Sequence, residues 1–377
     1  MPNDSLRVGV LTGGGDCPGI NAALRAVTKS LILKHNAEVI GFLDGFQGLV
    51  ERRVEPLHAR DVSGILTQGG TILGASNKAD PFNYQPRGGA DVSAQVAKTY
   101  QNLDLDALVA IGGDGTMSIA HRLAGLGIDI VGVPKTIDND LAGTDRTFGF
   151  DTAVSIATEA IDRIHTTAQS HHRVMIVETM GRYAGWIALH AGVASGADVI
   201  LIPEIEYEID EIARVCRDRE RGGQHFTIVA IAEGAKQQDG EHVVQERGAE
   251  HTDSMRLGGV SNVLADQLRE RVDSSVRTTV LGHMQRGGTP TAYDRNLATA
   301  FGTRAAALAA AGTTGTMVAV QDGTFTNVPL DEVADQTRTV PLNDPLLVSA
   351  LDLGASFGVE SPAIQDRADR APRPTSP

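Results

Sequence analysis

Cysteine is nearly missing from this chain: two in 377 residues, Cys17 and Cys216. Their placement suits neither a disulfide framework nor a metal knuckle, so a reducing, cytoplasmic compartment is expected. Basic charge is also scarce. The 33 Lys and Arg face 47 Asp and Glu, for a formal net charge of -14. That balance argues against a general nucleic-acid or anionic-membrane binder, which needs a basic face, but leaves room for a local basic pocket. No run of 18 or more apolar residues occurs, and the start, MPNDSLRVGV, carries no signal-peptide pattern. A soluble protein with no membrane span is the expectation. The folded part holds no low-complexity linker and no sequence repeat beyond alternating strands and helices.

Glycine, at 42 residues, is abundant. In a strand-and-helix alternation this points to tight turns that approach a ligand closely. Strands are predicted at 6–12, 37–42, 105–111 and 128–133, with helices at 20–34, 91–103 and 116–126. Pro18, Gly19 and Asn21 suit the first helix start. A second series follows: helices at 153–168, 183–194, 209–219, 260–271 and 297–311, and strands at 173–177, 199–202, 227–232 and 277–281, with 317–321 as a last strand. The pattern predicts two doubly wound α/β domains with largely parallel sheets and an active site in the cleft between them. Residues 1–148 plus 288–340 form one expected domain and 149–287 plus 341–359 the other. The tail, 360–377, is rich in Pro, Ser and charge and is expected to be disordered.

Three glycine-rich stretches, Gly13 to Gly19, Gly69 to Gly74 and Gly112 to Gly115, follow or lie near strands. Their main-chain N–H groups can cradle phosphate, with a helix N-terminus behind. None is a Walker A loop, and Asp16 breaks the dinucleotide fingerprint. Each alone also reads as a tight turn. The segment Pro134-Lys135-Thr136-Ile137-Asp138-Asn139-Asp140 follows an apolar strand. Two carboxylates two residues apart can share a crevice, one accepting a proton from a hydroxyl and one helping to hold Mg²⁺, with Lys135 adding positive charge. That composition suits phosphoryl transfer, and it also suits a plain turn. The second half places Arg173, Arg182, Arg277, His283 and Arg286 at or just past strand ends, with Glu233 at another. Arginine binds phosphate through a planar fork, and Glu233 can accept from sugar hydroxyls; taken singly, each is also ordinary surface charge.

Leu11-Thr12-Gly13-Gly14-Gly15-Asp16-Cys17-Pro18-Gly19-Ile20-Asn21, Gly112-Gly113-Asp114-Gly115-Thr116, the Pro134 to Asp140 segment, Met180-Gly181-Arg182 and Gly282-His283-Met284-Gln285-Arg286-Gly287-Gly288 occur in that order. Together they resemble the motifs of the 6-phosphofructokinases, over roughly residues 6–325. The resemblance implies phosphoryl transfer to the 1-hydroxyl of fructose 6-phosphate. It implies Asp138 as base, with Thr136 and Asp140 flanking the transferred group and its metal. Asp114 would be the Mg²⁺ ligand. Gly14 and the Gly113 to Thr116 loop would hold the donor. Thr136, Ile137, Asp138, Met180, Gly181 and Arg182 would meet the sugar phosphate, with Glu233, His283, Met284, Gln285 and Arg286. Arg173 and Arg277 would reach a neighbouring subunit's site, implying a homodimer or homotetramer with shared active sites.

The family uses ATP or pyrophosphate. Gly115 resembles the ATP type, since an Asp there would repel the nucleotide's α-phosphate. Lys135 resembles the pyrophosphate type, and the pair matches a bacterial subgroup with both activities. Gly115 carries more weight, because a missing obstruction is necessary for ATP. Asn77 stands where many ATP-dependent relatives carry Arg, with Lys78 beside it as a point charge in place of a fork. The expectation is an ATP-dependent 6-phosphofructokinase. Its rivals are a pyrophosphate-dependent enzyme, a kinase of another sugar phosphate such as sedoheptulose 7-phosphate, and a non-catalytic sugar-phosphate sensor.

Overall fold

Runs of apolar residues without polar alternation, such as Ala107–Gly112 and Thr227–Ala232, are buried along their whole length. Strands covered on both faces need that composition, and parallel sheets supply the setting. The computed structural model describes residues 5–238, 240, 244–247, 255–360 and 364. The expected disordered tail falls outside these residues, Glu360 and Ile364 excepted.

The chain runs through β1 (Arg7–Thr12), α1 (Ile20–His35), β2 (Glu38–Phe42), α2 (Phe46–Glu51), β3 (Val54–Leu57), α3 (Ser93–Asn102), β4 (Ala107–Gly112) and α4 (Asp114–Ala124). It continues with β5 (Ile130–Thr136), β6 (Phe148–Gly149), α5 (Phe150–His171), β7 (Arg173–Thr179), α6 (Trp186–Ala194), β8 (Val199–Leu201), α7 (Ile209–Arg221) and β9 (Thr227–Ala232). Then come β10 (Val244–Arg247), β11 (Met255–Leu257), α8 (Val260–Arg269), β12 (Ser275–Val280), α9 (Ala292–Ala310), β13 (Thr316–Gln321), β14 (Thr324–Pro329) and α10 (Pro345–Asp352). Among the described residues no helix is long and apolar enough to cross a membrane.

Two compact units result. The first takes the chain up to Thr152 and returns for Arg286–Arg338; the second takes Ala153–Arg247, Met255–Gln285 and the chain from Thr339. The first unit holds an eight-stranded sheet of order β14-β13-β5-β4-β1-β2-β3, with β6 paired to β5. Its centre is parallel, and both edges are antiparallel: β2 with β3, and β13 with β14. Each edge strand contains a proline, Pro56 in β3 and Pro329 in β14. The second unit holds a four-stranded parallel sheet, β12-β7-β9-β8, and a separate β10-β11 pair.

The expectation that 317–321 is the last strand is corrected. β14 follows through a two-residue turn, Asp322-Gly323, both at positive φ. Asp-Gly is the residue pair that such a hairpin turn favours. α1 begins at Ile20, as the sequence predicted. Gly19 is the N-cap, and Asn21 lies inside the first turn. Its amide serves another loop: Nδ2 donates to the carbonyls of Gln68 and Gly69, and Oδ1 accepts from the Ile72 N–H at 2.9 Å.

Candidate active site

In the first unit β1 and β4 are neighbours, and the strand order reverses between them. A crevice outside the carboxyl ends of strands at such a switch point is where open α/β sheets bind ligands. Two of the glycine loops meet there. Gly13 N–H donates to the Ile111 carbonyl at 2.9 Å. A Cβ on Gly13 would lie 2.6 Å from Thr116 Oγ1, and one on Gly112 would lie 2.2 Å from it. Only glycine lets Thr116 close against both strands. The third loop joins them: Thr12 Oγ1 donates to the Gly74 carbonyl at 2.6 Å, and Gly14 N–H donates to that of Ser76. Asn77 and Lys78 therefore sit on a segment held to the first loop, the Lys78 N–H bonded to Ser76 Oγ.

Asp114 and Gly115 open α4 and are exposed. A Cβ on Gly115 would meet nothing within 4 Å. Lys135, at the end of β5, is buried, and its Nζ donates to the Gly15 carbonyl. Burial holds its ammonium below the ordinary lysine value, a shift opposed by Cys17 and Asp114 and aided by Arg286. The structure brings Arg286 to this same loop. Its Nη1 donates to the Asp16 carbonyl at 3.1 Å, and a Cβ on Gly15 would lie 2.9 Å from it.

The Thr136 to Asp140 segment is fixed by its own side chains. Thr136 Oγ1 donates to Asp140 Oδ1 at 3.2 Å and accepts from the Asp138 N–H at 3.1 Å. Asn139 is left-handed at φ 51, a conformation that asparagine tolerates. Its Oδ1 accepts from the Thr147 N–H, and the Arg338 guanidinium and N–H bind the carbonyls of Asn139 and Asp140. The Asp140 carboxyl is pushed up to about 7, by burial first and then by the carboxylates of Asp138 and Asp114. These three acids thus share one field. Among the described residues no cluster of three His, Cys, Asp or Glu side chains forms a metal cage. Mg²⁺ needs none: it usually binds one or two carboxylates plus substrate phosphates and water. An exposed Asp114 at the start of α4 fits that habit.

In the second unit the loops after β7 and β9 are knitted together. Glu233 N–H donates to the Thr179 carbonyl and Gly234 N–H to that of Gly181. Gly181 has φ +127, and a Cβ on Gly234 would lie 1.9 Å from the Arg182 carbonyl oxygen. Met180 N–H donates to Oε1 of the buried Gln285, in the 3-10 turn Gly282–Arg286. Arg182 stacks over Tyr183, 5.0 Å from the ring centre. Met180, Gly181, Arg182, Glu233 and Gln285 are therefore brought together, with His283 and Met284 exposed on the same turn. Arg173 is not among them. It opens β7, opposite Ser275, a strand's length of roughly 20 Å from the loop that closes it. Arg277 is exposed on the edge strand β12. Glu178 is spoken for structurally: it accepts from the N–H groups of Gly259 and Ser261 and from Ser261 Oγ, capping α8. Sequence reasoning passed over Asn139, Thr147 and Arg338. Asn139 carried a signal, since an asparagine between two aspartates at a strand end is a left-handed turn candidate.

Comparison with known proteins places this geometry. The family model described as Phosphofructokinase matches residues 7–309. The ATP-dependent 6-phosphofructokinase 2 of Clostridium perfringens is 48% identical over 358 residues, covering 93% of this chain and 98% of its own. The pyrophosphate–fructose 6-phosphate 1-phosphotransferase of Amycolatopsis mediterranei is 50% identical over 337 residues, covering 89% and 97%. Among solved structures, Pichia pastoris phosphofructokinase in the T-state matches 98% of this chain with a TM-score of 0.76 and 30% identity, and the chain spans 40% of the Pichia one. Because the match runs through the glycine loops, the Asp138 segment and the turn around Gln285 alike, the chain belongs to the phosphofructokinase family.

Proposed function

We propose that this protein is a 6-phosphofructokinase that transfers a phosphoryl group from ATP to the 1-hydroxyl of fructose 6-phosphate, with Mg²⁺. The observation that carries the reading is the rigid Thr136 to Asp140 segment beside the glycine crevice. It holds a half-buried carboxylate, Asp138, in one orientation through its own N–H. Asp138 takes the proton as the sugar oxygen forms its bond to the γ-phosphorus. The bond from that phosphorus to the bridging oxygen breaks, and ADP leaves with the electron pair. General-base help of this kind is worth about 10²–10⁴-fold. Bound Mg²⁺, held by Asp114 and the donor's phosphates, would neutralise charge on the polyphosphate. Gly14, its own N–H given to the Ser76 carbonyl, lines the donor's place, and the Gly113 to Thr116 loop offers N–H groups to it. Thr136 and Asp140 orient the segment next to the transferred group.

The acceptor's phosphate is assigned to Arg182, His283 and the partner-facing Arg173 and Arg277. Met180, Gly181, Glu233, Met284 and Gln285 frame the sugar, with Ile137 next to the base in the chain. Arg173 and Arg277, away from the Arg182 loop, support subunits that complete each other's sites in a dimer or tetramer. Arg286 also grips the Asp16 carbonyl, so its substitution is expected to change donor as well as acceptor binding.

For the donor, the open space over Gly115 supports ATP. Lys135 supports the second reading, pyrophosphate, because its ammonium lies 3.6 Å from where a Gly14 Cβ would sit, inside the phosphate cradle. A coupled assay with each donor tests both. Turnover with ATP is expected; turnover with pyrophosphate alone reverses the donor assignment, and none with either removes the enzyme. Gly115→Asp is expected to raise the KM for ATP by at least ~10-fold through like-charge repulsion. Unchanged ATP kinetics would contradict the role of that space.

A further inference from the structure

Asp294 is a carboxylate with no exposure, in the first turn of α9. Its Oδ2 does not face a cation. It accepts from the N–H of Thr152 at 2.8 Å and from Thr152 Oγ1 at 2.5 Å. Thr152 lies in the first turn of α5, where main-chain N–H groups have no partner inside the helix. The arrangement is reciprocal. Thr291, the N-cap of α9, accepts from the Asp294 N–H and donates its hydroxyl to Asp151 Oδ2 at 2.6 Å. Its own N–H donates to Thr152 Oγ1 at 3.0 Å. Two helix starts are thereby bound to each other through four side chains.

What precedes Thr152 gives this clamp its reach. The two residues of β6 lie directly before α5. Phe148 pairs with Lys135 and Gly149 with Thr136, at the base of the Asp138 segment. Thr147, one residue earlier, donates its hydroxyl to the Thr136 carbonyl at 2.8 Å. On its other side β6 supports the first glycine loop. The Cys17 thiol points at the Phe148 carbonyl, a Cβ on Gly149 would lie 2.5 Å from that sulfur, and one on Gly19 would lie 2.9 Å from the Phe148 ring. Both loops thus rest on one short strand, and that strand is tied down from one end by Asp294.

We propose that Asp294 is a positioning residue: by gripping Thr152 it fixes β6 and, through β6, sets both the Asp138 segment and the Gly13 to Gly19 loop. The consequence for turnover rests on the phosphoryl-transfer reading; the mechanical claim does not. A bare helix cap could be loosened without any effect beyond α5 and α9. A positioning group cannot.

The experiment compares the full-length wild type with Asp294→Asn, which keeps the shape and loses the charge, and with Thr152→Val, which removes the gripped hydroxyl. Amide hydrogen exchange is read by mass spectrometry over the whole chain. Faster exchange in residues 135–152, by ~10-fold or more, with β7 and β9 unchanged, is expected for either variant. Since misplacement by about an ångström is costly, kcat is expected to fall ~10-fold or more and the KM for the donor to rise, with less than ~2-fold change in the KM for fructose 6-phosphate. Wild-type exchange in 135–152 in both variants overturns the proposal, as does acceleration spread evenly over the chain. If the wild type turns over neither donor, the kinase reading fails while the exchange measurement still decides the role of Asp294. Should Asp294→Asn not fold, Thr152→Val alone decides it by the same readings.

Discussion

Single side chains carry the sharpest expectations. Asp138→Ala is expected to lower kcat by at least ~10²-fold, the low end for losing a general base. Its melting temperature and far-ultraviolet circular dichroism should match the wild type, and near-normal kcat would refute the assignment. Asp294 makes a different, pH-linked prediction. Burial lifts its carboxyl from the ordinary 3.8 to about 6, with nearby Asp151 pushing in the same direction. The folded chain therefore keeps a proton that the unfolded chain has released between those values, and acid favours the native state in that window. Relative to Asp294→Asn, the wild type should gain stability as pH falls from 6 to 4, by on the order of 3 kcal/mol at most. Urea titrations of both proteins at several pH values measure this; a pH-independent difference would exclude the titration. Residue identity also explains what the sequence could reveal. Asp138, Arg182 and Gly115 stand out in the sequence because phosphoryl transfer favours few residue types at such places. Lys135 was readable as a cation, but its burial and its bond to a main-chain carbonyl were not, since both depend on how close the Gly13 to Gly19 loop comes.

At the scale of elements, the buried runs announced themselves. β9 lies where its unbroken apolar run predicted, and β1, β4 and β7 fall within a residue or two of expectation. Elements without such a run escaped. β3 is four residues long with Pro56 inside it, and α2 is six residues long, too short for a helical period to register. α10 did carry a start signal, Asp344 capping with Pro345 behind it, in a stretch assigned to the second domain without an element of its own. The glycine-rich stretch Gly69 to Gly74 was legible as a loop, but its attachment through Asn21 was not, because that contact spans some fifty residues. Loop packing also yields a prediction. Gly234 sits where any Cβ would collide with the Arg182 carbonyl, and a main-chain atom cannot step aside. Gly234→Ala is expected to displace the Arg182 loop and raise the KM for fructose 6-phosphate by ~10-fold, in line with a strain cost of about 1–2 kcal/mol. The KM for ATP should change little. An unaltered sugar-phosphate KM would show that the loop does not depend on that close approach.

The whole molecule poses a question of number. If Arg173 and Arg277 serve a partner's site, two different defects should cure each other. Arg277→Ala and Asp138→Ala, each nearly inactive alone, are mixed after mild dissociation and allowed to exchange subunits. Hybrid dimers then contain one site with both residues intact, and activity should recover to about a quarter of the wild-type value under random pairing. No recovery, despite exchange shown by native mass spectrometry, would place both residues in sites built from one chain.

The two prolines on the borders of the large sheet bear on how such copies meet. A strand that lacks a main-chain donor makes a poor template for another strand. The platform beneath the phosphate cradle is thus protected against being lengthened by a stray polypeptide, in crowded synthesis or in a concentrated solution. Any association of copies would then fall to side-chain surfaces, whose charge and shape selection can tune without endangering the scaffold.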